Sequence, residues 1–287
     1  MRRWALAVLA CTLLAGCAGL LAGCSGLPAG VDGDLTNGWQ PMAAATQFRP
    51  AAGTCHAELT QTGTADDYSP VPCTDPHLVE TIAVTDVANA GLSQAFAACS
   101  KQATTFLGAD WRTGWVVLQP VLPGKEALAG GAHWVRCDVA ETSPVDGALV
   151  RRSATMKGAV KAGGKLRMAC ANPTIDGESV TEMHPVACAT THTAEFAGLF
   201  ATTAKNSDDI SSDALADGCD KAIAKFTGLR DDSNLESRIG WLGFPPDDTA
   251  WQMGDRAIRC FLWLNGEKMT GSYRNAGPSK LKIHYSN

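Results

Sequence analysis

The chain has 287 residues with 24 basic and 29 acidic side chains, a formal net charge of −5, 11 cysteines and 8 tryptophans. It has no run of Lys or Arg, which argues against a nucleic-acid partner and against electrostatic docking on anionic lipid. Its length is enough for one large or two small cores.

Arg2 and Arg3 form a short positive region, and the apolar stretch WALAVLACTLLAG after them reads as the h-region of an export signal. Two overlapping cleavage-like sites follow, Leu14-Ala-Gly-Cys17 and Leu21-Ala-Gly-Cys24. Leu-Ala-Gly-Cys is the bacterial lipoprotein pattern, in which the Cys is lipidated and becomes the first residue. An uncleaved anchor over residues 5–23 is the competing reading. Cleavage before Cys24 removes Cys11 and Cys17, commits Cys24 to lipid and leaves eight cysteines in the body. Cleavage before Cys17 would leave an odd thiol, so parity selects Cys24. Without Arg2 and Arg3 the body carries 22 basic against 29 acidic groups, near −7.

The expected organisation is a signal peptide over 1–23, a flexible linker over 24–47 and two related halves, 48–158 and 159–287. Gly26, Pro28, Gly30, Gly33 and Gly38 interrupt any period in the linker. No later apolar run reaches spanning length, so the lipid is the expected membrane attachment, on the extracytoplasmic face.

Duplication is visible in Val71–Glu80 (VPCTDPHLVE) and Val186–Glu195 (VACATTHTAE), both Val-x-Cys-x3-His-x2-Glu. Cys55 and Cys73 are eighteen residues apart, as are Cys170 and Cys188. After each Glu comes a strand-like run, LVETIAVTDV or TAEFAGLFATT. A helix follows in each half. Residues 92–107 carry Ala95, Cys99, Ala103 and Phe106 at spacings of four, four and three, and residues 214–227 carry Leu215, Cys219, Ile223 and Phe226 likewise. Gly108 and Gly228 stand where the helices should end, and Ser211 and Ser212 are ready N-caps. Next come a Gly-Trp strand (Trp115, Trp241), a short helix, and a strand ending on Arg136-Cys137 or Arg259-Cys260. A further strand is expected to close each half at Ser153-x4-Gly158 or Ser272-x4-Gly277. The expected order is strand, strand, helix, strand, short helix, strand, strand. This is an α+β class with a mostly antiparallel sheet and one main helix per half.

Four cysteines per half at matching places, in an exported chain, read as two disulfides per half. The favoured pairing is Cys55–Cys73, Cys99–Cys137, Cys170–Cys188 and Cys219–Cys260, although four cysteines allow three connectivities. Zinc competes, but no CxxC or HxxxH spacing is present. No motif calls for a cofactor or a metal.

His77, Glu80, His192 and Glu195 are the polar residues that recur at fixed spacing, and three readings stay open. They could form a metal or acid–base pair, although residues three apart on a strand point to opposite faces. They could be structural, with His on a carbonyl near the disulfide and Glu facing an Arg or Lys of a neighbouring strand, which is the favoured reading. Or they could line a ligand site beside a Trp. The absence of a Gly-x-Ser-x-Gly elbow, P-loop or dinucleotide fingerprint leaves no catalytic residue to name. Trp111, Trp115, Trp134, Trp241, Trp251 and Trp263 are expected in the core, with an exposed subset available for recognition.

Pro72-Cys73-Thr-Asp-Pro76-His77-Leu-Val-Glu80 resembles the Pro-Cys-x-x-Pro-His-x-x-Glu string of the actinobacterial septum formation domain. Trp251-Gln-Met-Gly254-Asp-Arg256-Ala-Ile-Arg-Cys260 resembles the closing Trp-x2-Gly-x-Arg-x3-Cys string of that domain. The second half has Ala187 and Thr191 in place of the prolines, and the first has Leu128 and His133 in place of the Trp and Arg. The resemblance implies an envelope-associated, division-linked protein with no catalytic residues to carry over. The expected function is therefore a lipid-anchored binding or adaptor protein, its partner an envelope protein or cell-wall component. The rivals are an envelope hydrolase or transferase using His77 or His192, and a carrier for a small apolar ligand, whose sign would be an enclosed apolar pocket.

Overall fold

The computed structural model describes residues 47–60, 63–88, 91–177 and 179–283. The export signal, Cys17, Cys24 and the linker up to residue 46 lie outside the described residues. In each half the strand that follows the His–Glu motif becomes the middle strand of an antiparallel five-stranded sheet. The first sheet contains β1 (Thr54–His56), β2 (Pro70–Val71), β3 (Val79–Asp86), β4 (Val116–Val121) and β5 (Trp134–Glu141), in the order β2-β1-β3-β5-β4. The second contains β6 (Cys170–Asp176), β7 (Ser179–Val186), β8 (Ala194–Ala201), β9 (Gly240–Phe244) and β10 (Ala257–Trp263), in the order β7-β6-β8-β10-β9. The two topologies are identical, so the duplication extends from the motif to the whole half.

The helices α1 (Leu92–Leu107) and α3 (Ser212–Thr227) lie across the last three strands of their own sheets, β3-β5-β4 and β8-β10-β9. Ala95, Phe96, Cys99, Ala103 and Leu107 form the buried stripe of α1, and Cys219, Ile223 and Phe226 belong to that of α3. Phe106 is only half-buried, because Leu107 and Phe96 fill the space beneath α1. Gly108 and Gly228 end the helices at φ 84° and 74°, a left-handed conformation that costs a residue with a Cβ about 1–2 kcal/mol. Ser211 caps α3 by accepting a hydrogen bond from the Ala214 N–H at 3.2 Å. Short helices α2 (Lys125–Ala129) and α4 (Asp248–Met253) precede β5 and β10, and α5 (Gly277–Lys280) closes the described chain.

All four disulfides form in the favoured pairing. Cys55–Cys73 and Cys170–Cys188 each close an eighteen-residue separation at the sheet edge, while Cys99–Cys137 and Cys219–Cys260 fasten each helix to a strand beneath it.

The strand order differs from the expected one at both ends of each half. Three strands precede the main helix rather than two, because β2 and β7 pair back onto β1 and β6. The strands expected to stop at Arg136-Cys137 and Arg259-Cys260 run on to Glu141 and Trp263, since Asp138–Ala140 and Phe261–Leu262 remain buried. No further strand closes either half among the described residues. The chain returns as a loop that touches the sheet through isolated bridges, His77 with Arg152 and His192 with Met269. The reason lies in the repeated Glu, whose carboxylate takes backbone N–H groups that another strand would otherwise have bonded. Residues assigned to the start of the second half also pack on the first: Val160 and Leu166 belong to its core.

Candidate functional site

The repeated motif builds a buried clasp in both halves. Register sets Cys55 opposite Glu80 and Cys170 opposite Glu195 on adjacent strands, so each disulfide sits beside a carboxylate. Glu80 accepts from the Thr155 hydroxyl at 2.6 Å and the Met156 N–H at 2.8 Å. Glu195 accepts from the Ser272 hydroxyl at 2.5 Å and the Tyr273 N–H at 2.7 Å. Both carboxylates thus hold the returning loop of their half, with one oxygen on a hydroxyl and the other on the next residue's amide. The expected Arg or Lys partner is replaced by these neutral donors. His77 and His192 lie one turn before, fully buried, and their backbones exchange paired hydrogen bonds with Arg152 and Met269.

The two nitrogens of each ring have different surroundings. Nδ1 of His77 lies 2.8 Å from the Asp75 carbonyl, and Nδ1 of His192 lies 2.8 Å from the Thr190 carbonyl. A carbonyl only accepts, so each Nδ1 carries the proton and donates it. Neither Nε2 has a hydrogen-bond partner among the described residues. In the second half the donor atoms of Cys170, His192 and Glu195 lie within 4.8 Å of one another. Cys170 is disulfide-bonded to Cys188, however, so that thiolate is unavailable as a ligand. In both halves the His and Glu side chains are buried and both carboxylate oxygens are engaged.

What the halves do not share is more informative, and alignment on the paired cysteines and the repeated Glu finds it. His56, Thr81 and Asp138 occupy the positions of Ala171, Phe196 and Phe261, around an arginine that both halves have, Arg136 or Arg259. In the first half these form a buried polar network. Asp138 accepts from the Thr81 hydroxyl at 2.7 Å and from Arg136 Nε at 2.9 Å, while a second Arg136 nitrogen reaches Thr60 at 3.0 Å. Burial, reinforced by Arg136, holds His56 below the usual imidazole range. In the second half the same face is aromatic, with Phe196 and Phe261 in a T-shaped contact at 5.3 Å, and it packs against Trp115 of the first half.

That packing joins the halves. Arg112, on the short 3-10 turn Trp111–Thr113, gives a 2.7 Å bond from Nε to Asp255, which is 2% exposed. Arg259 Nε returns a 2.9 Å bond to the Arg112 carbonyl. Beside this junction lies a cleft of about 550 Å³, lined by Trp115, Val180, Met183, Phe244 and Phe261 with Asp255 and Arg259 among its walls. Its rim includes the exposed Asp146 and Asp247, so it is not an enclosed apolar pocket. A second hollow, of about 610 Å³, lies wholly within the second half, where α3 meets the ends of β9 and β10.

The tryptophans divide accordingly. Trp111, Trp134 and Trp251 are buried, at 3%, 2% and 6% exposure, whereas the half-buried Trp115, Trp241 and Trp263 line the two concavities. Among the described residues no helix is long and apolar enough to cross a membrane.

A family model with the description Septum formation matches residues 52–260, from just before the first paired cysteine to the last. No curated protein matches the chain, and no solved structure matches it.

Proposed function

The chain belongs to the septum formation family, and from that premise we propose that it is a lipid-anchored, non-catalytic binding or adaptor protein on the extracytoplasmic face of the cell membrane. Membership points to a role in septation or the cell envelope. Binding rather than chemistry is supported by one observation above all: both repeated Glu side chains spend both oxygens on holding their own loops. The surface that differs between the halves is then what remains for recognition. Anchoring draws on the Leu-Ala-Gly-Cys24 pattern and on the even set of eight body cysteines, all of which are paired.

The test is crosslinking of the full chain in dividing cells, followed by identification of what is captured, with acylation measured in parallel. Wild-type protein should carry lipid and crosslink to an envelope protein or cell-wall fragment, and Cys24→Ala should lose the lipid and leave the membrane fraction. Acylation that survives Cys24→Ala and disappears in Cys17→Ala would move the anchor. Turnover of a cell-wall substrate, lost in a His77→Ala or His192→Ala protein with unchanged melting, would replace the binding reading by an enzyme.

A further inference from the structure

Two positions change together between the halves. Ser100 and Trp111 of the first half, counted from Cys99 and Gly114, become Asp220 and Ser237 of the second, counted from Cys219 and Gly240. In the first half the Trp111 indole N–H donates to the Ser100 hydroxyl at 2.9 Å, and the ring packs edge-on against Phe96. The ring is buried there, at 3% exposure. In the second half the large ring is replaced by a serine, and the connecting loop is longer, 229–239 against 109–113. Leu235 and Ile239 of that loop turn into the core, and the 610 Å³ hollow opens beside them, lined by Asp220, Glu236, Ser237, Trp241 and Glu267 among others.

Asp220 is the unusual member. It is 8% exposed and lines the hollow, yet it accepts no hydrogen bond from the described residues. Of the nearby cations, Lys221 is paired with Asp217 at 2.7 Å, and Arg238, on the wall of the hollow, gives one nitrogen to the Leu281 carbonyl at 2.8 Å and none to Asp220. Glu236, Asp231 and Asp217 add their negative fields to burial and hold the Asp220 carboxyl up at about 6. A carboxylate that opens on a hollow with no protein donor gains a charge-assisted partner once a cation is supplied. Trp241 adds an aromatic wall of the kind that attracts organic cations.

We propose that this hollow binds an organic cation of the alkylammonium class, with Asp220 as its charge partner and Trp241 beside it. The assignment rests on the binding reading above and names the chemistry that one site would take. In the first half Trp111 stands at the place of Ser237.

The experiment titrates the full-length protein, in detergent, with N-acetyl-lysine methylamide, followed by tryptophan fluorescence and ligand-observed NMR. N-acetylglucosamine serves as the neutral control and acetate as the anionic one. Saturable binding of the lysine derivative at pH 7.5 is expected, and it should weaken as pH falls through about 6. Asp220→Asn should weaken it by roughly tenfold or more while leaving the melting temperature unchanged or higher, which a structural role for Asp220 would not do. Ser237→Trp, which restores the bulk found in the first half, should also block binding. Equal affinity in Asp220→Asn, no saturable binding by wild type, or binding of the sugar alone would overturn the proposal. Those results alongside intact partner capture in cells would overturn this site alone, whereas failure of capture by the wild-type chain would overturn the binding reading itself.

Discussion

Glu80 and Glu195 are the residues on which each half closes. Each accepts two hydrogen bonds from a loop that would otherwise end loose: Thr155 and Met156 in the first half, Ser272 and Tyr273 in the second. A glutamine keeps the shape but turns an N–H₂ toward one of those donors. Glu80→Gln and Glu195→Gln should each destabilise by about 1.5–3 kcal/mol, the range for hydrogen bonds to a charged group, and by similar amounts, measured by urea unfolding. His77→Ala and His192→Ala should also match each other, since each loses one Nδ1–H donation to a carbonyl. A large difference between the members of either pair would show that one copy has taken on a second task. Asp220 should behave in the opposite way. Its folded-state pKa is raised from 3.8 to about 6, so between those values the native state holds more protons than the unfolded chain. Stability then falls as pH rises through that window. Asp220→Asn should accordingly raise the melting temperature at pH 7.5 more than at pH 4, and an equal shift at both would refute the assignment of strain to that carboxylate.

At the scale of elements, duplication made the sequence legible, because each signal could be read twice. The matching spacings of Cys99, Phe106 and Gly108 and of Cys219, Phe226 and Gly228 mark both long helices and both left-handed glycine ends, and matched cysteine spacing favours the four bridges that form. Three features were not legible. The two-residue β2 has too little pattern to be seen, and the returning loops look like strands because Val150 and Met269 are apolar. The partners of Glu80 and Glu195 lie 75 to 78 residues further on, with no periodicity to announce them. The hollow beside Asp220 is recorded only in what the halves do not share, the Trp111 to Ser237 exchange. The bridges allow a graded test. In the loop-closure account Cys99–Cys137 and Cys219–Cys260, at separations of 38 and 41, contribute about 4 kcal/mol each and the eighteen-residue bridges about 3. Paired Cys→Ala variants should follow that order in urea. A reversed order would mean that the edge bridges act mainly through the buried clasps they adjoin.

Over the whole molecule the halves have diverged into complementary roles. The second half has turned one sheet face aromatic, with Phe196, Phe244 and Phe261, and it buries that face partly against Trp115. The first has kept polar groups on the corresponding face, Thr81, Arg136 and Asp138, satisfied among themselves. Between them the Arg112–Asp255 ion pair is the most buried charge contact that crosses the junction, with side-chain exposures of 17% and 3%. Its energetics differ from those of a surface pair. Removing Arg112 leaves the Asp255 carboxylate buried with Arg259 as its remaining nearby cation and, among the described residues, the Ala257 N–H at 3.2 Å as its one hydrogen-bond donor, and breaking a buried pair in this way costs about 3 kcal/mol. Removing both partners deletes the stranded charge as well as the bond. Arg112→Leu should therefore be more damaging than the Arg112→Leu/Asp255→Leu double variant, even though the double variant carries the larger change in sequence. The Arg259 bond to the Arg112 carbonyl uses backbone and survives in both. Wild-type protein should unfold in one transition, because the first core includes Met253 of the second half, and Arg112→Leu is the variant expected to split it in two. Urea unfolding followed by tryptophan fluorescence and far-ultraviolet circular dichroism checks this. Coincident curves in Arg112→Leu, with a loss no larger than in the double variant, would show that apolar contact alone joins the halves.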